Sequence, residues 1–139
     1  KVTVKYKNIT LREGIDYKVV YKNNKKIGTA KIYVIGLNNF KDSNTYKMKI
    51  IPAKTKITKK KATKKKITLK LKKVKGATGY QVVYSLKKNF KGKKKINTKK
   101  RTVVIKRKKS GKYYVKVRAY KKIGKKYVYG NYTKRITIK

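Results

Sequence analysis

Lys112-Tyr113-Tyr114-Val115-Lys116-Val117-Arg118-Ala119-Tyr120 is the stretch whose reading decides the fold. A period of two places Tyr113, Val115, Val117 and Ala119 on one face and Tyr114, Lys116, Arg118 and Tyr120 on the other. That is the pattern of a half-buried antiparallel strand. The neighbouring segments alternate in the same way. Ile67 to Leu71 does so, Tyr80, Val82, Tyr84 and Leu86 are expected to point inward, and Arg101 to Ile105 and Tyr127 to Ile138 supply further strands. Ile57 marks a short first strand and Ile96 an edge strand, while Gly76-Ala77-Thr78-Gly79 and Ile123-Gly124 read as turns. Seven short strands at these intervals have sandwich spacing.

Toward the amino terminus the alternation continues in shorter pieces. Val2 to Tyr6 reads as a strand, Asn8 to Gly14 as a hairpin-like turn, and Asp16 to Tyr21 as a strand with Tyr17, Val19 and Tyr21 on one side. Asn23-Asn24 is a turn signal. Gly28 to Ile35 follows, with Ala30, Ile32 and Val34 on one face, and Tyr46 to Ile50 closes the unit before Pro52. By charge, residues 53 to 66 read as a solvated lysine-rich linker. The expected fold class is all-β, with two small antiparallel β-sandwich modules in tandem over residues 1–52 and 53–139.

Charge separates the halves. The 139 residues hold 47 Lys and Arg against Glu13, Asp16 and Asp42, a formal +44. Residues 1 to 52 contain eleven Lys, Arg12 and all three acids, a net +9, which leaves +35 and no acid for residues 53 to 139. The second half therefore repels itself and attracts anions. Lysine is a hydrated point charge that suits diffuse attraction better than planar, bidentate reading of bases. A genome-wide bias toward Lys, Asn, Ile and Tyr accounts for the same composition without any binding role.

Cys and His are absent, which removes disulfides, thiolate chemistry, zinc sites of the usual kind and the usual general base. No run of residues approaches the ~18 apolar positions of a membrane helix, so no transmembrane segment is expected. A charged-then-apolar leader is not seen at the front. Ser43, Ser85 and Ser110 have no oriented base and third group, so enzyme activity is not expected and no cofactor or metal is implied. Glu13 and Asp16 flank a turn, where an Asx-type bond is the expected role.

The first half resembles a bacterial immunoglobulin-like repeat of exported Gram-positive proteins. Gly14-Ile15-Asp16-Tyr17, Tyr21-Lys22-Asn23-Asn24, Gly28-Thr29-Ala30 and Gly36-Leu37-Asn38-Asn39-Phe40 match its ordered steps over about fifty residues. Members of that family have an opening strand and turn before this point, so residue 1 is expected to be a cut inside a domain. The second half resembles a fibronectin type III domain through Val74 to Tyr80, the alternating Tyr113, Val115, Val117 and Ala119, and Gly130-Asn131-Tyr132-Thr133. The resemblance implies that Tyr113 is a corner tyrosine bonding back to backbone. Leu71 stands where such domains usually carry a buried tryptophan, and Tyr132 where another aromatic is usual. No Arg-Gly-Asp tripeptide is present.

Together these features lead to an expected function. The chain is read as a non-catalytic spacer or adhesion module of a larger exported bacterial protein, extracellular or at the cell surface. Its lysines would be attracted to anionic cell-wall polymer or glycan, and its neighbours would be the flanking domains of the same protein. A nucleic-acid or general polyanion binder is the alternative, as is a filament subunit joined by strand donation. The candidate polyanion-binding residues are Tyr114, Lys116, Arg118, Tyr120 and Arg135, an outer-face stripe whose rings could stack on sugars or bases while the cations hold phosphates or sulfates.

Overall fold

A computed structural model describes all 139 residues. The chain is all-β, built from antiparallel pairs, and divides into two compact units, Lys1–Ile50 and Ile51–Lys139. Pro52 belongs to the second unit, where it is buried beside Gly130. A Cβ on Gly130 would stand 2.5 Å from the Pro52 carbonyl oxygen.

In the first unit β1 (Lys5–Tyr6) pairs with β2 (Ile9–Thr10), and β3 (Tyr17–Lys22), β4 (Gly28–Gly36) and β5 (Ser43–Ile50) form a sheet in the order β3-β4-β5. Asn23 adopts φ +60° at the β3–β4 turn, as its turn signal predicts. The expected Val2–Tyr6 strand shrinks to Lys5–Tyr6, since its ladder partner is only two residues long. Register places Val19, Val34 and Asn44 in one row and Tyr21, Ile32 and Tyr46 in the next, with Ala30 opposite Met48. One face of the sheet is thus free of charged side chains. Val4, Tyr6 and Leu11 line a cavity of about 520 Å³ with Tyr17, Val34 and Asn44 at one end of that face. The other end is open: Tyr21 is 45% exposed, Met48 46% and Tyr46 55%. Only Tyr17, Ala30 and Val34 are buried apolar residues in this unit.

In the second unit β6 (Ile57–Ala62), β7 (Lys66–Leu71) and β10 (Thr102–Lys106) form one sheet, in the order β10-β7-β6. The other has the order β12-β11-β8-β9, from β8 (Gly79–Ser85), β9 (Lys94–Thr98), β11 (Tyr113–Ile123) and β12 (Lys126–Tyr129); β13 (Ile136–Ile138) also pairs with β11. The core lies between the sheets. Ile67, Leu69, Leu71, Val103 and Ile105 meet Tyr80, Val82, Val115, Val117 and Ala119, all buried. The organising strand extends three residues beyond its expected end, to Ile123, and its period-two assignment holds, with Tyr113, Val115, Val117 and Ala119 inside. The Tyr80 hydroxyl is satisfied by the Val74 N–H at 3.0 Å and the Lys72 carbonyl at 3.2 Å.

Two expectations change here and one is extended. The short first strand expected at Ile57 is found and runs on to Ala62, into the stretch that reads as linker by charge: β6 pairs with β7 from Ile57↔Leu71 to Ala62↔Ile67, with a bulge between Ile57 and Lys59. Backbone pairing at a sheet edge leaves Lys59, Lys60 and Lys61 in solvent, so a charge run and a strand coexist. Leu86 lies past the end of β8 and is exposed, because the chain has already turned away from the core. The last strand is split, and residues 130–135 interrupt it. Gly130 and Thr133 still donate backbone N–H groups to Ala119 and Val117, at 2.9 and 2.8 Å, but the ladder is irregular.

Candidate functional site on the outer face of the second unit

The outward face of β11 carries Tyr114, Lys116 and Arg118, each half-buried. Residues two apart on one strand stand roughly 6.7 Å apart, room for one aromatic ring. Tyr132 fills it: its ring centroid is 4.4 Å from the Arg118 guanidinium carbon and 4.5 Å from Lys116 Nζ. Arg118 also lies 3.7 Å from the Tyr129 ring, and Lys116 lies 4.5 Å from the Phe90 ring. The result is an alternating ladder of Phe90, Lys116, Tyr132, Arg118 and Tyr129. Tyr127 stacks on Tyr129 at 5.8 Å, and Lys122 Nζ stands 5.7 Å from the Tyr127 ring.

Local backbone makes this possible. Residues three apart on a regular strand point to opposite faces, so Tyr129 and Tyr132 share a face only because the ladder breaks between them. Phe90 reaches the ladder from a loop in which it adopts φ +59°, a conformation that costs about 1 kcal/mol or more for a bulky residue. Gln81, buried on β8, binds the assembly together. Its Oε1 accepts from Arg118 Nε and from the Tyr132 hydroxyl, both at 3.0 Å, and its Nε2 donates to Asn97 Oδ1 at 3.0 Å. Burial pushes the Tyr132 phenol above its usual pKa even though the Arg118 charge pulls it down.

Of the five residues singled out from sequence, the structure brings Lys116 and Arg118 together through Tyr132. Arg135 is a neighbour: its guanidinium lies 5.6 Å from the Tyr114 ring, and Nη1 donates to the Lys88 carbonyl at 3.2 Å. Tyr120 is on the expected face but is buried rather than presented, since Tyr127 and Tyr129 close over it at 5.2 and 6.2 Å. Burial is the main reason its phenol pKa is raised. Phe90, Gln81, Tyr129 and Tyr132 are the members that strand periodicity does not find. The signal in the sequence was the Tyr129-Gly130-Asn131-Tyr132 spacing, two aromatics three residues apart that a regular strand would place on opposite faces.

Cation–ring contacts are worth about 0.5–2 kcal/mol each. In this unit they do what carboxylates do elsewhere. In the first unit Asp16 Oδ2 accepts from the Arg12 backbone N–H at 2.8 Å and from Arg12 Nε at 3.3 Å, and these bonds hold its carboxyl below the ordinary aspartate pKa. The bond runs back to Arg12, four residues earlier, in place of the expected Asx-type bond. The Tyr113 hydroxyl donates to the Lys109 carbonyl at 3.1 Å, the local backbone bond expected of it. No protein-family model matches the chain, and no curated protein matches it.

Proposed function

We propose that the chain is a tandem of an immunoglobulin-like and a fibronectin type III-like module from a larger exported bacterial protein. It spaces or presents its neighbours while its lysines are drawn to anionic wall polymer or glycan at the cell surface. The observation that carries this is electrostatic: 35 cations in residues 53–139 have no carboxylate to pair with, and the single ion pair of the chain is Arg12–Asp16. The Tyr113 bond to Lys109 and the two-sheet core support the fibronectin type III-like assignment. The ladder makes the outer face a rigid cationic surface, with Lys116 and Arg118 already aligned.

Light scattering and titration across a salt series, with wall teichoic polymer, a sulfated glycan and duplex DNA, test this. Wall polymer or glycan well ahead of DNA supports the proposal. DNA ahead, with a log-log salt slope near −0.9 per phosphate neutralised, favours the polyanion reading instead. Equal, weak binding that salt abolishes leaves a spacer with a solvated surface.

The open apolar face of the first unit favours a second reading, in which a strand of another copy covers Tyr21, Tyr46 and Met48 and links subunits. Charge repulsion between copies makes such assembly salt-dependent. A monomer at every salt concentration, with Tyr46→Lys changing nothing, sinks it.

A further inference from the structure

At the free edges of the two sheets, β9 and β10 leave a cleft of about 610 Å³ in the second unit. Its apolar lining comes from Tyr84, Leu86, Ile96, Val104 and Tyr113. Leu86 is 44% exposed and Val104 48%, and the Tyr84 and Tyr113 rings stack at 6.4 Å. Six lysines also line it: Lys87 and Lys91 from the 86–93 loop, Lys94 and Lys106 from the two edge strands, and Lys108 and Lys109 from the loop before β11. The polar groups of the floor are already engaged. Ser85 Oγ donates to the Lys91 carbonyl at 2.9 Å and accepts the Lys87 N–H at 3.0 Å, and the Tyr113 hydroxyl is held by Lys109. What faces an incoming molecule is therefore apolar surface and ammonium charge.

We propose that this cleft binds an amphiphilic anion: an apolar chain or ring system carrying a phosphate, sulfate or carboxylate. Its volume lies within the roughly 300–1,000 Å³ of small-molecule sites. Charge complementarity selects the anionic head, since no carboxylate exists in residues 53–139 to occupy the lysines. The uncovered Leu86 and Val104 side chains select the apolar body, because transfer of each methylene out of water strengthens binding by up to about fourfold. A bare polyanion uses only the rim and an uncharged hydrocarbon only the floor. This goes beyond attraction to wall polymer and does not depend on it, because polymer binding draws on lysines over the whole surface.

The test uses alkyl phosphates from butyl to decyl, below their micelle concentrations, with inorganic phosphate and decanol as controls. Affinity is read by calorimetry and position by amide shifts in ¹H–¹⁵N spectra of the full chain. The expected result is saturable one-site binding that tightens with chain length, with decyl phosphate at least tenfold tighter than inorganic phosphate and shifts confined to residues 84–96 and 104–113. Val104→Glu and Leu86→Glu, both at exposed positions, should each weaken decyl phosphate at least tenfold, while Lys121→Gln with Lys125→Gln leaves it within twofold. Affinity independent of chain length, or shifts spread over all basic surfaces, overturns the proposal. The wild-type shift map decides the question even if a Glu variant fails to fold. Wall-polymer binding that survives in Val104→Glu, alongside lost decyl phosphate binding, separates this site from the proposed surface attraction.

Discussion

The two units solve the same problem with different chemistry. The first holds all three acids and ties Asp16 to Arg12. The second holds no acid, and seven of the eight cation–ring contacts fall within it, the exception being Lys7 over Tyr6. A surface stripped of carboxylates can still give fixed partners to chosen cations, provided aromatic faces are brought to them. The units differ in burial as well. The second has a closed two-sheet core, whereas the first buries three apolar side chains and leaves much of its sheet face bare.

Deleting core volume should separate the units most. Leu69→Ala is expected to cost about 3 kcal/mol in the second unit, while Met48→Ala in the first stays within about 0.5 kcal/mol. Urea unfolding followed by residue-resolved NMR measures both, and equal losses would end the contrast. Gly79→Ala comes next. A Cβ there would stand 2.5 Å from the Thr98 carbonyl oxygen and 2.6 Å from the Tyr120 hydroxyl, so about 1–3 kcal/mol of overpacking is expected.

Arg118→Ala should destabilise the second unit by about 1–2 kcal/mol, with Arg118→Lys recovering only part because the planar, ring-stacking head is lost. The opposite sign at low salt would show that relief of repulsion outweighs the ladder. The pH response gives the smallest effect. Asp16 has a lowered pKa in the folded state, so its stabilising contribution is complete above the unfolded aspartate value and is lost as pH falls through the lowered one, below about pH 4. Asp16→Asn should flatten that acid limb in the first unit. The second unit has no acid side chain, so its thermal midpoint should show no such acid limb. At alkaline pH Tyr120 and Tyr132, with raised pKa values, favour the folded state while protonated and withdraw that support as pH climbs through them.

Much of the fold was legible because strand alternation is a local property. Tyr113 to Ala119 declared its inner face, Asn23 its turn, and Ile96 its edge strand. Ile57 marked the start of β6, but lysine content concealed its extent to Ala62, since charge dominates the composition of 57–62 whereas pairing uses the backbone. The site was half legible. Period two places Tyr114, Lys116 and Arg118 on one face, yet it cannot show that Tyr120 is roofed by Tyr127 and Tyr129, or that Tyr132 swings onto that face after the ladder breaks. Those depend on contacts between separate strands and on one irregular segment, and neither has a repeat to read.

The lack of carboxylates has a consequence for mutational history. A salt-bridged surface constrains both partners, since losing one strands the other. On the acid-free unit an exposed lysine outside the ladder and cleft has no dedicated counterpart, so exchanging it for another polar residue breaks nothing specific and shifts stability little. Sequence drift can move charges about this surface almost freely while the ringed cations stay put. Divergence should therefore erase the lysine positions first and leave Arg118, Tyr129, Tyr132 and Gln81 as the longest-lived trace of descent.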